Sequence, residues 1–533
     1  MAYPYKAKSP AAPKVEKPFI FSKYHTVIDS FIMNNEKADF IINAGPGSGK
    51  TTTGAKIIAP QFIRKYGMGV AIAFNTKNAK DLQEALAPFG SAVTAGTINA
   101  VCGAALNAGR ARKYKNDVGI KAGYNAFYRK VMAWAPCKIE KLGEIIVPDG
   151  DDKKQMIACI KQTINRMMQA AYGIPGFKEV NPTTAMEMVY DIFGDANYPE
   201  DLGNWICEIF AKMEADREGI SFVEQIYRPL KENIKFPDYK WVLFDEGQDA
   251  TELYYVLLDR LKAAGAVIAV IGDTRQAING FMGAMPQALD YLQDKLNATP
   301  LPLSISYRCS KAAVAEANKI FPDSVEAHEN AKEGEVNHIS LTDLNPNEME
   351  VGDAIISRVH KHLLPVALSF IKERKEFSYK GAVDIVSSLK YLIWKAAGKE
   401  TDCAAIRFRL SEFQDKSEEK LASKFPGAPP PPWMVRQKEN IESLIVMLAH
   451  IESEGGNGNS LNTYFNKLID AEKGSGVCLS TFHAAKGAEW PNVFIVGPME
   501  SALAKTDKEK QAEKCVAFVA VTRSSDKLTF VSV

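Results

Sequence analysis

The sequence predicts an α/β protein built on two parallel sheets, each interrupted by a mainly helical insertion. Three observations predict it. Short β-branched runs ending in polar or glycine-rich turns gather in two blocks, the pattern of buried parallel strands. Each block is split by a long stretch of helical texture. The first run leads straight into a glycine loop and then a helical run. The chain has 533 residues, 46% hydrophobic and 24% charged, with 65 Lys and Arg against 64 Asp and Glu. That length suggests about three or four domains and excludes a small stapled scaffold. A net charge of +1 gives no global pull on a polyanion, so any such site must be a local patch.

In order, the first block holds DFIINA, GVAIAF, KWVLFDE and AVIAVIGD. The second holds LPLSIS near Ser304, DAIIS near Ile356, VCLSTF near Leu479, NVFIVG near Phe494 and LTFVSV at the end. The expected organisation is a tail at 1–19, a first α/β domain at 20–106 and 237–300 with an insertion at 107–236, and a second at 301–381 and 476–533 with an insertion at 382–475. The loop FPGAPPPPW, Phe425 to Trp433, divides the second insertion, because consecutive prolines cannot continue a helix.

The eight cysteines lie far apart, without a C-x-x-C pair or histidines at ligand spacing, so zinc and iron–sulfur sites are not expected and reduced thiols are. The longest apolar strips, such as GAVIAVIG at Gly265 to Gly272, fall well short of the roughly 20 residues of a membrane span. The start has Pro and Lys but no apolar core, so it reads as a solvated basic tail rather than a secretory leader. A cytoplasmic protein of bacterial or phage setting is expected, with a nuclear one left open.

The sharpest motif is AGPGSGKTTT, from Ala44 to Thr53. Strand, glycine loop and helix in that order make a phosphate cradle, with successive N–H groups and the helix N-terminus aimed at phosphate oxygens. Ala44, Gly45, Pro46, Gly47, Ser48, Gly49 and Thr52 would wrap a nucleoside triphosphate. Lys50 would reach its β and γ phosphates, and Thr51 would take Mg²⁺. WVLFDEGQD then brings Asp245 to a strand end to hold the metal and Glu246 to orient or deprotonate the attacking water. Past the strand AVIAVIGD, Gln276 could sense the γ phosphate, although a plain turn after the strand is the competing reading of the segment alone. In the second block, SYRCS and VAVTRSSDKL each present one arginine, Arg308 and Arg523, able to neutralise charge on a transferring phosphoryl group.

Together these blocks resemble superfamily 1A helicases of the UvrD/Rep/PcrA type, in order through nearly the whole chain. The cradle resembles motif I, AFNTKNA motif Ia, GTINAV motif Ib, DEGQD motif II, GDTRQAINGFMGA motif III, SYRCS motif IV, STFHAAKGAEWPNVFIVG motif V and VTRSSDKL motif VI. Some detail is also similar to the F-box DNA helicase branch and phage-borne relatives. The resemblance implies two RecA-like P-loop domains with parallel sheets. Lys50, Thr51, Asp245, Glu246, Gln276, Arg308 and Arg523 would surround ATP and Mg²⁺, Tyr307 would stack on adenine and Glu489 would meet the ribose. Phe74, Thr97, Phe281, Thr481 and His483 would line a single-strand track.

The chain also departs from the family. His25 stands nearest the adenine-reading glutamine, Asn99 stands where a histidine is usual in motif Ib, and motif III has Asn279 for tyrosine and Met282 for arginine. The second insertion is about half the expected length. The chain stops ten residues after Arg523, so no C-terminal nuclease or docking tail is expected. The resemblance implies an ATP-dependent helicase moving 3′ to 5′ on single-stranded DNA and unwinding duplex at junctions, with no membrane partner and unknown protein partners. The competing reading is a single-strand-stimulated ATPase that remodels nucleoprotein, or serves in defence, without productive unwinding. A third is an RNA-directed motor.

Overall fold

The computed structural model describes residues 21–109, 152–193, 198, 200–215, 220–280, 283–424, 432–501, 504 and 506–533. The expected tail, residues 110–115 of the basic cluster GRARKYK (Gly109 to Lys115), residues 425–431 of the loop FPGAPPPPW, Phe281 and Met282 lie outside them.

The first sheet is made from β1 (Phe40–Ala44), β2 (Gly69–Ala73), β3 (Val93–Thr97), β4 (Trp241–Asp245), β5 (Val267–Gly272) and β6 (Thr299–Leu303). Their spatial order is β3-β2-β4-β5-β1-β6, and every pairing is parallel. A two-stranded pair follows, β7 (Ile305–Ser306) with β8 (Glu326–Ala327). The second sheet contains β9 (Glu335–Ser340), β10 (Ala354–Ser357), β11 (Phe377–Tyr379), β12 (Val477–Thr481), β13 (Trp490–Val496) and β14 (Ser524–Ser532). It is also parallel throughout, in the order β11-β12-β10-β13-β14-β9. Central strands such as β2, β4 and β5 are buried at every position, as helices on both faces require.

One expectation is corrected. LPLSIS does not open the second sheet: Leu301 to Leu303 belong to β6, which pairs with β1 at the edge of the first. The edge position explains the prolines, since Pro300 and Pro302 face outward while Leu301 and Leu303 are buried.

The described parts of both insertions are mainly helical, as their texture predicted. The described helices of the first are Asp152–Gln169, Pro182–Phe193, Leu202–Ala215 and Phe222–Lys231. Those of the second are Ala382–Ala396, Cys403–Lys424, Pro432–Ser453 and Leu461–Ala471. Neither is a separate globule. Ile160, Ile206 and Tyr227 share one core with Ile72, Val242 and Val270 of the first sheet. Leu389, Leu410 and Leu444 share another with Ile355 and Leu479 of the second. Each insertion thus covers one face of a sheet, leaving the strand ends to form the site. Among the described residues, no helix is long and apolar enough to cross a membrane.

Candidate active site

The cradle follows β1. Gly47 and Gly49 adopt φ of +67° and +79°, the left-handed region where glycine is unstrained. Gly45 N–H donates to the Leu303 carbonyl at 2.7 Å, and Gly47 carbonyl accepts from Tyr307 N–H at 2.9 Å. The loop is so tight against the segment after β7 that a Cβ at Gly47 would lie 2.5 Å from Cβ of Arg308. Ser48 is buried, and its hydroxyl oxygen has no partner. An unpaired buried hydroxyl in a ring of backbone amides fits a phosphate-binding loop. Lys50 opens the helix, followed by Thr51 and the exposed Thr52.

Asp245 and Glu246 sit where β4 ends. Burial, and then the neighbouring Glu246 charge, push the Asp245 carboxyl up to about 7 against the pull of Lys50. Burial acts the same way on Glu246, but Lys50, Lys486, Gln248 and Arg523 together hold it below the usual range. Glu246 has φ +59°; its carboxylate accepts from Gln248 Nε2 and, at 3.4 Å, from Asn78 Nδ2. The donor set beside the cradle, Thr51 with a buried aspartate at a strand end, suits a hard divalent cation.

The loop after β5 carries Gln276, buried, with Nε2 donating to Asp273 at 2.7 Å. From the second lobe, Arg523 comes to meet it: Nη2 donates to Gln276 Oε1 at 3.3 Å. Arg308 Nε donates to Glu489 Oε2. The ribose-side residue of the sequence reading is therefore an arginine partner. Lys486 crosses the same seam, its Nζ donating to both Asp249 oxygens at 3.0 and 2.7 Å and to the Gln276 carbonyl at 2.9 Å.

Tyr307 is 47% exposed beside Gly47, with its ring 4.8 Å from that of His328 and tilted by 36°. His25 departs from its expected place. It is 2% exposed. Its Nδ1 accepts from Ser22 N–H at 3.1 Å, completing a capping box, and its Nε2 lies 3.2 Å from Thr53 Oγ1. Its ring is thus committed to a helix cap and the cradle helix rather than to a base.

On the other rim, Thr97 and Thr481 are the last residues of β3 and β12. Each hydroxyl caps the next helix, accepting from Ala100 N–H at 3.2 Å and Ala484 N–H at 3.3 Å. Phe74 follows β2, half-buried. Burial, and then the Arg358 charge, push the His483 imidazole down to about 4, so it is neutral at pH 7. Three groups at this site escaped the sequence reading. Asn78 and Asp249 carried no signal of their own, although Asn78 lies within AFNTKNA and Asp249 within DEGQD; Lys486 was flagged only by lying between His483 and Glu489. A fourth feature joins the rim: Asn99, in the helix that follows Thr97, donates from Nδ2 to the carbonyl of Phe222, a 42% exposed aromatic, at 2.6 Å.

Two parallel-sheet lobes, with a phosphate cradle on one and arginines of the other turned toward it, define a P-loop ATPase of the two-lobed RecA-like type. Comparison with known proteins makes the class specific. Residues 29–297 match the family model of the UvrD/REP helicase N-terminal domain, and residues 401–533 that of the UvrD-like helicase C-terminal domain. The chain belongs to the UvrD/Rep helicase family, a family of ATP-hydrolysing DNA helicases. It is 21% identical to an ATP-dependent DNA helicase PcrA of Leuconostoc citreum, over 93% of this chain and 81% of that one. It is 23% identical to an ATP-dependent DNA helicase UvrD1 of Mycobacterium leprae and 24% identical to a UvrD2 of Mycobacterium tuberculosis. Each of these matches takes in 54% of this chain, but only 38% and 46% of those relatives.

Proposed function

We propose that this chain is a motor that hydrolyses ATP between its two lobes to move 3′ to 5′ along single-stranded DNA and separate duplex at junctions. The observation that carries the reading is the seam itself. Arg523 and Lys486 of one lobe contact Gln276 and Asp249 of the other within the same charged cluster as Lys50 and Glu246.

In this reading the cradle amides and Lys50 grip the triphosphate, and the base stacks on the exposed face of Tyr307. Thr51 and Asp245 would hold Mg²⁺, which when bound neutralises charge on the β and γ phosphates. Glu246, kept ionised by the cations around it, orients a water and accepts its proton as the water oxygen attacks the γ phosphorus. The bond to the β,γ-bridging oxygen breaks, and Arg308, Arg523 and Gln276 stabilise the charge on the transferring group. Because ATP is held from both lobes, its arrival and loss change their preferred separation. Thr97 and Thr481, at corresponding strand ends of the two lobes, are then the alternating grips, with Phe74, Phe222 and His483 beside them.

Strand displacement on 3′-tailed and 5′-tailed duplexes tests activity and polarity together. The expected result is ATP-dependent separation of the 3′-tailed substrate, lost in Lys50→Ala. Hydrolysis indifferent to single strands, or retained in that variant, refutes the motor. Stimulated hydrolysis without separation supports the remodelling translocase instead. The same stimulation measured with RNA decides between nucleic acids.

A further inference from the structure

We infer that Asp249 is a positioning residue for hydrolysis: it anchors Lys486, and through it the segment Thr481–Glu489 that aims both arginines at the cradle. The inference rests on the hydrolytic reading above and adds to it the group that sets the arginines' placement.

Asp249 ends a short turn three residues beyond Glu246 and is 2% exposed. A carboxylate so deeply buried persists as an ion only when paired, and both of its oxygens accept from one ammonium, that of Lys486. Lys486 also donates to the Gln276 carbonyl, so a single cation ties together the turn after β4, the loop after β5 and the second lobe.

What lies on either side of Lys486 gives the contact its meaning. Four residues upstream, Phe482 is fully buried in the second lobe's core, which fixes that end. Two residues downstream the Ala488 carbonyl accepts from Arg523 Nη1 at 3.1 Å, and three downstream Glu489 accepts from Arg308 Nε. Between them, Gly487 has φ +77°, a bend with no side chain to stiffen it. Among the described residues, the segment's bonds to the first lobe's chain include those of Lys486 to Asp249 and to the Gln276 carbonyl, and a longer, exposed one from Lys77 Nζ to the Gly487 carbonyl at 3.3 Å. The buried pair is the stronger constraint, because charge-assisted bonds gain most where water is excluded. Without it, the segment keeps only weaker ties to the cradle side: the Lys486 bond to the Gln276 carbonyl, that surface lysine, and the indirect route from Glu489 through Arg308. Asp249 touches no reacting atom in this scheme; it acts by holding Lys486.

The test is a cycle of Asp249→Asn, Lys486→Gln and the double variant in single-strand-stimulated ATP hydrolysis, with nucleotide binding measured separately. Misplacement of a catalytic group by about 1 Å costs about 10²-fold, so each single variant should lose about that factor in kcat. KM for ATP should stay within about threefold, the mark of an interaction spent in the transition state. The double variant should be no worse than the worse single, and Arg523→Ala should cost far less in the Asp249→Asn background than alone. If Asp249→Asn fails to fold, judged by circular dichroism, Lys486→Gln in place of the partly exposed lysine carries the same kcat-against-KM comparison. A wild type that hydrolyses no ATP overturns the reading above and this inference with it. An active wild type whose variants keep kcat, lose only KM, or multiply their effects overturns this inference alone.

Discussion

Arg523→Lys separates the geometry of the guanidinium from its charge. Arg523 is 1% exposed. Nε donates to the Val519 carbonyl at 2.8 Å, Nη1 to the Ala488 carbonyl at 3.1 Å, and Nη2 to Gln276 Oε1 at 3.3 Å and Thr522 Oγ1 at 3.1 Å. Burial, and then the charge of Arg308, lower its pKa to about 9, which leaves it charged at neutral pH. Lysine keeps that charge but offers three donors from one nitrogen, and a point ammonium cannot span acceptors on both lobes. The four bonds leave from three nitrogens and no one nitrogen makes more than two of them, so an ammonium at any one of those positions loses at least two. At about 1.5–3 kcal/mol per bond to a charged group, the loss is about 3–6 kcal/mol. An arginine finger is worth about 10³–10⁵ in rate, or about 4–7 kcal/mol. The lost bonds are of that size, so kcat should fall by at least about 10³ while ATP affinity changes by less than about tenfold. A coupled ATPase assay at saturating single-stranded DNA, paired with equilibrium binding of a fluorescent ATP analogue, measures both. A Lys variant with kcat within tenfold of wild type refutes the fork argument, and an equal loss of affinity and turnover moves Arg523 to ground-state binding.

Gly47→Ala places a methyl group 2.5 Å from Arg308 Cβ at φ +67°; nucleotide binding should fall by more than about 10²-fold, since the cradle must open to admit it, and calorimetric titration with wild-type affinity would contradict this. Gly69→Ala drives a Cβ to 2.1 Å from the indole of Trp241, a ring that is fully buried; urea denaturation should show a loss of about 1–3 kcal/mol or more, and an unchanged midpoint refutes the packing. His360 is pushed down to about 4 by burial and then by Arg436, with Nδ1 2.9 Å from the Tyr379 hydroxyl. A base with a lowered folded pKa leaves the unfolded chain to take the proton first, so its contribution is complete above about pH 6.5 and is lost as pH falls towards 4, by at most about 3 kcal/mol. His483 acts in the same window, and burial lowers His25 and His362 as well, so His360→Asn should reduce but not abolish the loss of stability between pH 7 and 4.5, and a slope identical to wild type would sink the assignment.

The parts of the fold that the sequence displayed are those whose physics is local. Buried parallel strands need continuous apolar runs, and AVIAVIGD and KWVLFDE could be little else. Glycines at forced dihedrals mark the cradle. The second sheet's edge was hidden for the opposite reason. EVNHIS, which forms β9, is partly exposed along its whole length, so it carries no apolar run and no clean alternation. β6 was visible but assigned to the wrong sheet, because partner choice is a long-range property that TPLPL does not encode in its own pattern. His25 shows the limit of carrying a role across by position: the same place in the chain holds a residue whose ring nitrogens serve a helix cap. Asp249 and Lys486, 237 positions apart, are individually unremarkable, and only folding brings them together.

The loop after β5 shows why covalent order and mechanical order differ here. By chain it belongs to the first lobe, since Asp273 follows directly on β5. By packing it belongs to the second. Ile278 is 5% exposed within the core formed by Phe482, Phe518 and Val519. Arg275 stacks over the Phe518 ring at 5.7 Å and donates to the Ser324 carbonyl. Gln276 accepts from Arg523. A widening of the cleft therefore cannot be a clean separation of two bodies. It must either draw Ile278 out of an apolar core, at about 1.5–3 kcal/mol for a side chain of that size, or bend the loop between Asp273 and β5 while Gln276 leaves the cradle side with the second lobe. The second path keeps the apolar contact intact and breaks only polar ones that water can replace. In the proposed motor Gln276 would then travel with Arg308 and Arg523 rather than with Lys50 and Glu246, and the two groups of residues would be assembled and taken apart as units.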